Sequence, residues 1–197
     1  KCEKYSIFIS QAQIPIKGLH KILDAVALIK NEFPEIKIYI AGNNFTKTEN
    51  FIDRLRLTGY GKYILSLIKK YNLTTNVFFT GELNENEMID RYLKSNLFIC
   101  PSSIENSPNS LGEAQILGVP CIASYVGGVP DMIKDGETGF LYRFEEIKML
   151  ALRIAQIFNM SQNELEQLSN SEKEVALQRH NPTVNIKTLL DIYTQCL

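Results

Sequence analysis

Short apolar runs rich in Ile, Phe and Val alternate along this chain with longer stretches whose apolar positions recur every three or four residues. The first kind of run reads as buried strand, the second as amphipathic helix. Strands are predicted at Tyr5–Ser10, Lys37–Ala41, Asn76–Thr80, Leu97–Pro101 and Pro120–Ser124, with a short sixth at Phe140–Tyr142. A helix starts at Gly18 and carries Leu19, Ile22, Leu23, Val26 and Ile29 on one face. Others span Gly61–Tyr71 and Ile147–Phe158, or open at local signals: Asn84 with Glu87, Ser110, Ser161 with Glu164, and Asn181-Pro182. The polar segment Asn43–Tyr60 reads as a short helix or a loop.

This alternation implies an α/β fold. Parallel strands need crossover connections, so helices come to cover both faces of a parallel sheet. With strand order 3-2-1-4-5-6, strands 1 and 4 adjoin where the winding reverses, and ligands sit outside the carboxyl ends of the strands at that point. The loops Gln11–Lys17 and Ser102–Asn109 are therefore expected to line one crevice. With 197 residues and no internal repeat, long linker or low-complexity stretch, the chain is read as one domain, 1–197.

Charge and cysteine usage narrow the classes. The 21 basic and 22 acidic residues nearly cancel and form no basic block, which argues against a nucleic-acid groove or a membrane patch. No apolar run approaches the roughly 20 residues of a membrane span, and no charged-then-apolar leader follows Lys1. Cys2, Cys100, Cys121 and Cys196 lack paired spacing, and Cys100 and Cys121 lie in apolar strand runs, as reduced buried thiols do. A cytoplasmic location is expected from that pattern.

Candidate chemistry concentrates after strand 4, in Pro101-Ser102-Ser103-Ile104-Glu105-Asn106-Ser107-Pro108-Asn109-Ser110-Leu111-Gly112-Glu113. A helix N-terminus there offers free N–H groups to phosphate or sugar oxygens. Glu105 and Glu113 offer acceptor pairs that match vicinal hydroxyls. Alternatively, Glu105 is a solvated loop acid, and Ser110-x-x-Glu113 is a capping box that needs no ligand. Lys17, just before a helix start, faces the positive end of a helix dipole, an arrangement favoured only with an anion close by. The other reading extends its charge into water. No Gly-x-Gly-x-x-Gly, phosphate-binding Gly-Lys-Ser/Thr loop or Asp-x-Asp pair is present, and His20 and His180 lack metal spacing.

Ile16-Lys17-Gly18-Leu19, the Glu105/Glu113 pair, Glu113-Ala114-x-x-Leu117-Gly118-Val119-Pro120, Val126-Gly127-Gly128-Val129-Pro130-Asp131 and Asp135-Gly136-x-x-Gly139-Phe140-Leu141 follow one another in this order. From about Tyr5 through the final helix they resemble the C-terminal domain of glycosyltransferase family 4. The resemblance implies the GT-B architecture, two Rossmann-like domains facing across a cleft, with this chain as the C-terminal, nucleotide-sugar-binding half and the N-terminal acceptor domain outside it. It implies a retaining, metal-independent transfer from a UDP- or GDP-linked donor to a glycan or lipid-linked acceptor, as in bacterial cell-surface polysaccharide synthesis. No cofactor is implied. The whole enzyme would be cytoplasmic or peripheral at the inner face of the membrane, and this half alone nearly inactive.

Carried over by position, Lys17 would contact the diphosphate, and Glu105 with Asn106, Ser107 and Asn109 the transferred sugar. Ser110 and Leu111 would offer N–H groups to the phosphates, Glu113 would take the ribose hydroxyls, and Gly81 through Leu83 would lie along the base. The Gly127-Gly128 turn and Asp131 read as structural, positioning the next helix. Two departures stand out: Ala12 occupies the place of an Arg found in many members, with Gln11 or Gln13 as neutral substitutes, and Asn106-Ser107-Pro108-Asn109 replaces a Pro-Phe-Gly type sequence. The rival readings are another GT-B enzyme (glycogen-synthase-like, sugar-phosphate synthase or epimerase) and a non-catalytic nucleotide-binding module.

Overall fold

The computed structural model describes residues 2–51, 55 and 57–196. Six parallel strands form one sheet in the expected order β3-β2-β1-β4-β5-β6. They are β1 (Glu3–Ile9), β2 (Lys37–Ile40), β3 (Val77–Phe79), β4 (Ser95–Cys100), β5 (Cys121–Ser124) and β6 (Phe140–Tyr142). Among the described residues the helices are α1 (Leu19–Ile29), α2 (Gly59–Lys70), α3 (Glu85–Lys94), α4 (Asn109–Ile116), α5 (Ile147–Asn159), α6 (Gln162–Arg179) and α7 (Pro182–Cys196). None is long and apolar enough to cross a membrane.

Period-two alternation sorts the strand side chains into two cores. Ile7, Ile9, Ile38, Ile40, Leu97 and Ile99 pack with Ile22 of α1, Ile64 of α2 and Ile154 of α5. Phe8, Phe98, Cys121 and Ala123 face the other way, onto Tyr92 of α3 and Leu111 and Ala114 of α4. Cys100 and Cys121 are buried free thiols, as their setting in strand runs implied.

Local signals placed several helix starts. Asn84 with Glu87 and Ser161 with Glu164 form complete capping boxes, and Asn181 Oδ1 accepts the N–H of Thr183 at 3.0 Å. α2 begins earlier than expected because Thr58 Oγ1 accepts the N–H of Gly61 at 3.0 Å. β1 also begins earlier, at Glu3, and passes through a register shift in which Tyr5 takes φ 58 and donates its N–H to Asn96 Oδ1 at 3.1 Å. Of the polar segment Asn43–Tyr60, residues 52–54 and 56 lie outside the described residues; Phe51 and Leu55 have helical backbone.

One buried acid ties the last layer to the sheet. Glu172 of α6 accepts the N–H of Cys121, at the start of β5, at 3.0 Å. Its second oxygen has no partner among the described residues, and burial pushes its carboxyl up to about 8.

Candidate functional site

The two loops at the switch point are joined backbone to backbone. The Ser103 N–H donates to the Ile16 carbonyl at 2.8 Å. Gly18 takes φ +71, and a Cβ there would stand 1.9 Å from the Pro101 carbonyl oxygen. Only a residue without Cβ lets these loops cross so closely. The expected crevice between Gln11–Lys17 and Ser102–Asn109 is present at this crossing.

Lys17 ends a short 3-10 turn (Pro15–Lys17) ahead of α1 and finds its anion in the protein itself. Its Nζ lies 2.5 Å from Glu105 Oε1, and the Ser102 hydroxyl donates to the same oxygen at 2.7 Å. With 24% and 14% of their side chains exposed, neither Lys17 nor Glu105 is the solvated surface charge of the alternative reading. Glu105 Oε2 has no protein donor among the described residues, which leaves it to accept from a ligand hydroxyl.

The backbone carrying Glu105 rests on the Gly127-Gly128 turn. A Cβ on Gly127 would stand 1.7 Å from the Glu105 carbonyl oxygen, and one on Gly128 2.2 Å from that of Asn106. The two glycines therefore do more than lead into the next segment. They let the glutamate loop lie directly on the loop after β5.

The capping box offered as the alternative at Ser110 does not form. α4 begins one residue earlier, with Pro108 at the N-cap and no side-chain cap, and Glu113 instead accepts from the Tyr92 hydroxyl at 3.1 Å through Oε2. The same hydroxyl reaches the Ser110 carbonyl at 3.1 Å. Burial first, then the Glu113 charge, pushes the Tyr92 phenol well above its usual range, so it remains a donor. At the helix start, the Leu111 N–H is taken by the Pro108 carbonyl at 3.0 Å and its side chain is buried. The N–H groups of Asn109 and Ser110 are the ones that precede any intrahelical acceptor.

Two adjoining cavities open here. One, of about 370 Å³, is lined by Lys17, Glu105, Ser107, Asn109, Ser110 and Glu113 among others. The second, of about 550 Å³, includes Gln13, Gly42, Glu82 and Leu83. Ser10, Gln11, Lys17 and Met88 line both. Asn106 is exposed beside the first, and Gly81, at φ +78, backs the second through its carbonyl, which accepts the Gly42 N–H at 2.9 Å. A hollow of about 240 Å³ at the start of β4, lined by Cys2, Ser95 and Gly118, holds no comparable convergence of charge.

Met88 and Tyr92 were not among the expected site residues, and Gln11 and Ser102 were expected only as parts of the crevice loops. Gln11 carried a further signal, as a substitute for the cation missing at Ala12; Ala12 itself is wholly buried. Lys17 lines both cavities, with Glu82 in the wall of one and Glu105 and Glu113 in the wall of the other. Among the described residues no group of three His, Cys, Asp or Glu side chains is placed to hold a metal ion.

Comparisons with known proteins identify the family. A capsular polysaccharide biosynthesis glycosyltransferase, CapM of Staphylococcus aureus, is 29% identical over 143 residues, 73% of this chain and 34% of its own length. The HepE protein of Anabaena, solved in complex with UDP-glucose, superposes with a TM-score of 0.79 at 21% identity over 99% of this chain and 50% of that one. The C-terminal domain of a group 1 glycosyl transferase, LpcC of Francisella tularensis, solved by itself, gives a TM-score of 0.73 at 19% identity over 91% of this chain and 87% of that one. The chain thus spans a third to a half of the length of CapM and HepE. The family model for glycosyl transferases group 1 matches residues 1–175, and the chain belongs to that family.

Proposed function

We propose that the crevice holds a nucleotide sugar and that residues 1–197 are the C-terminal, donor-binding half of a retaining, metal-independent glycosyltransferase. The observation that carries this reading is the convergence of the Lys17 ammonium, the Glu105 and Glu113 carboxylates and the helix start at Asn109 and Ser110 around one cavity. The donor is UDP- or GDP-linked, and a second half of the cleft, outside this chain, presents a glycan or lipid-linked acceptor.

In the free chain Lys17 is neutralised by Glu105. A diphosphate drawn to the α4 N-terminus competes for the ammonium, and charge developing on the leaving diphosphate meets a fixed cation and fixed N–H dipoles. Glu105, kept in place by Ser102, then accepts hydroxyls of the sugar. Glu113 accepts those of the ribose. The base lies in the larger cavity between Gly42, Leu83 and Met88. The relation to CapM, a capsular polysaccharide biosynthesis glycosyltransferase, supports a role in polysaccharide assembly.

The test is thermal unfolding of the chain with UDP, GDP or ADP, each with Mg²⁺ or with excess chelator. A ligand at a hundred times its Kd adds about 2.7 kcal/mol, which for a domain of this size raises Tm by about 5–10 °C. One diphosphate should do so, equally in chelator. No shift with any of them refutes the binding reading, and a shift lost in chelator refutes metal independence.

A further inference from the structure

Tyr92 stands outside the set of ligand-contacting residues but at its support. It is 1% exposed, on α3, with its ring edge-on to Phe8 at 5.0 Å and tilted against Phe98 at 5.3 Å. Those phenylalanines belong to β1 and β4, the two strands that flank the switch point. The ring is thus clamped by the part of the sheet that positions both crevice loops. Its hydroxyl reaches out of that core to two acceptors, the Ser110 carbonyl in the first turn of α4 and Glu113 Oε2, each at 3.1 Å.

The consequence falls on Glu113. An exposed glutamate samples several rotamers, and holding one of them for a ligand costs entropy at the moment of binding. Here one carboxylate oxygen is tethered to a buried post, while the other has no protein donor among the described residues and the residue lines the cavity of about 370 Å³. The single phenol proton is shared between Glu113 and the Ser110 carbonyl, while the first turn of α4 is held by its own bonds from the Leu111 and Gly112 N–H groups to the Pro108 carbonyl.

We infer that Tyr92 is a positioning residue for donor binding: its hydroxyl pre-orders Glu113 so that the carboxylate meets the ribose hydroxyls of the nucleotide. This rests on the reading of Glu113 as the ribose ligand. Tyr92 itself touches no ligand, and its effect passes through the carboxylate.

The experiment compares the affinity of UDP with that of 2′,3′-dideoxy-UDP, with the GDP pair run alongside, for the wild-type chain, Tyr92→Phe, Glu113→Gln and the double variant. Phenylalanine keeps the ring between Phe8 and Phe98. The wild type should prefer the ribonucleotide about tenfold or more, the effect of hydrogen bonds to a charged group. Tyr92→Phe should lose at least threefold of that preference, with dideoxynucleotide affinity unchanged, and should have no further effect when Glu113→Gln is already present. A Tyr92→Phe chain that keeps the full ribose preference overturns the inference. So does one that loses affinity for both nucleotides alike, which marks Tyr92 as structural only. Absence of ribose preference in the wild type, or its survival in Glu113→Gln, instead shows that the reading of Glu113 has failed, and the inference falls with it.

Discussion

Replacing Gly127 by alanine tests whether the turn after β5 supports the glutamate loop. At φ +51 the new side chain is strained wherever it stands, at a cost of about 1–2 kcal/mol. Its Cβ would also sit 1.7 Å from the Glu105 carbonyl oxygen, against the 3.0 Å below which such contacts essentially never occur. The loop must therefore retreat by about 1.3 Å, the difference of these two distances. Glu105 is bound to Lys17 and Ser102, so a shift of the loop disturbs both contacts. Together these effects should cost about 2–4 kcal/mol, a fall in Tm of about 5–15 °C. Misplacing the carboxylate by an ångström should weaken donor binding about tenfold to a hundredfold. Gly136→Ala is the control: its φ is +80, but a Cβ there meets nothing within 4 Å, so only the backbone strain applies. Thermal unfolding and UDP-sugar titration of both variants give the answer. A Gly127→Ala chain no less stable than Gly136→Ala, binding donor as the wild type does, refutes the reasoning.

Gln11 lines both cavities whereas Ala12 is wholly buried. Gln11→Arg should therefore tighten diphosphate binding, while Ala12→Arg should cost at least about 1–3 kcal/mol of stability by overpacking the core; calorimetry and denaturant unfolding of the pair check this. Glu172 has a folded pKa of about 8 against an unfolded value near 4.5, so the folded chain keeps a proton that the unfolded chain releases. That contribution to stability is complete below about pH 4.5 and is lost as pH rises through about 8. Glu172→Gln should flatten this part of the profile, and identical slopes for variant and wild type between these limits contradict it.

The strands were legible because each is a short apolar run, and most crossovers because they are amphipathic helices; β5 and β6 are joined through the short 3-10 turn Val129–Asp131 instead. Two helix starts were legible because their capping partners lie three residues apart. The same local logic misled at Ser110 and Glu113. There the stronger partner, the Tyr92 hydroxyl, comes from another helix, 21 residues before Glu113. Lys17 and Glu105 could each be singled out from their setting, but their 2.5 Å pairing joins positions 88 residues apart. Gly127-Gly128 read as a turn, and nothing in the pair itself says which backbone will lie on it. Tyr92 on an amphipathic helix reads as core, which it is; only the placement of its hydroxyl gives it a second role.

The central claim, that the crevice takes a nucleoside diphosphate with Lys17 on its phosphates, is tested most directly by calorimetric titration of UDP and GDP into the wild-type chain and into Lys17→Ala. Removing the ammonium also leaves the mostly buried Glu105 carboxylate without its cation, so the melting temperature is followed alongside the affinity. The affinity should fall by about 1.5–3 kcal/mol, tenfold or more, because a charge-assisted hydrogen bond is lost. Equal dissociation constants for the two chains would contradict the account.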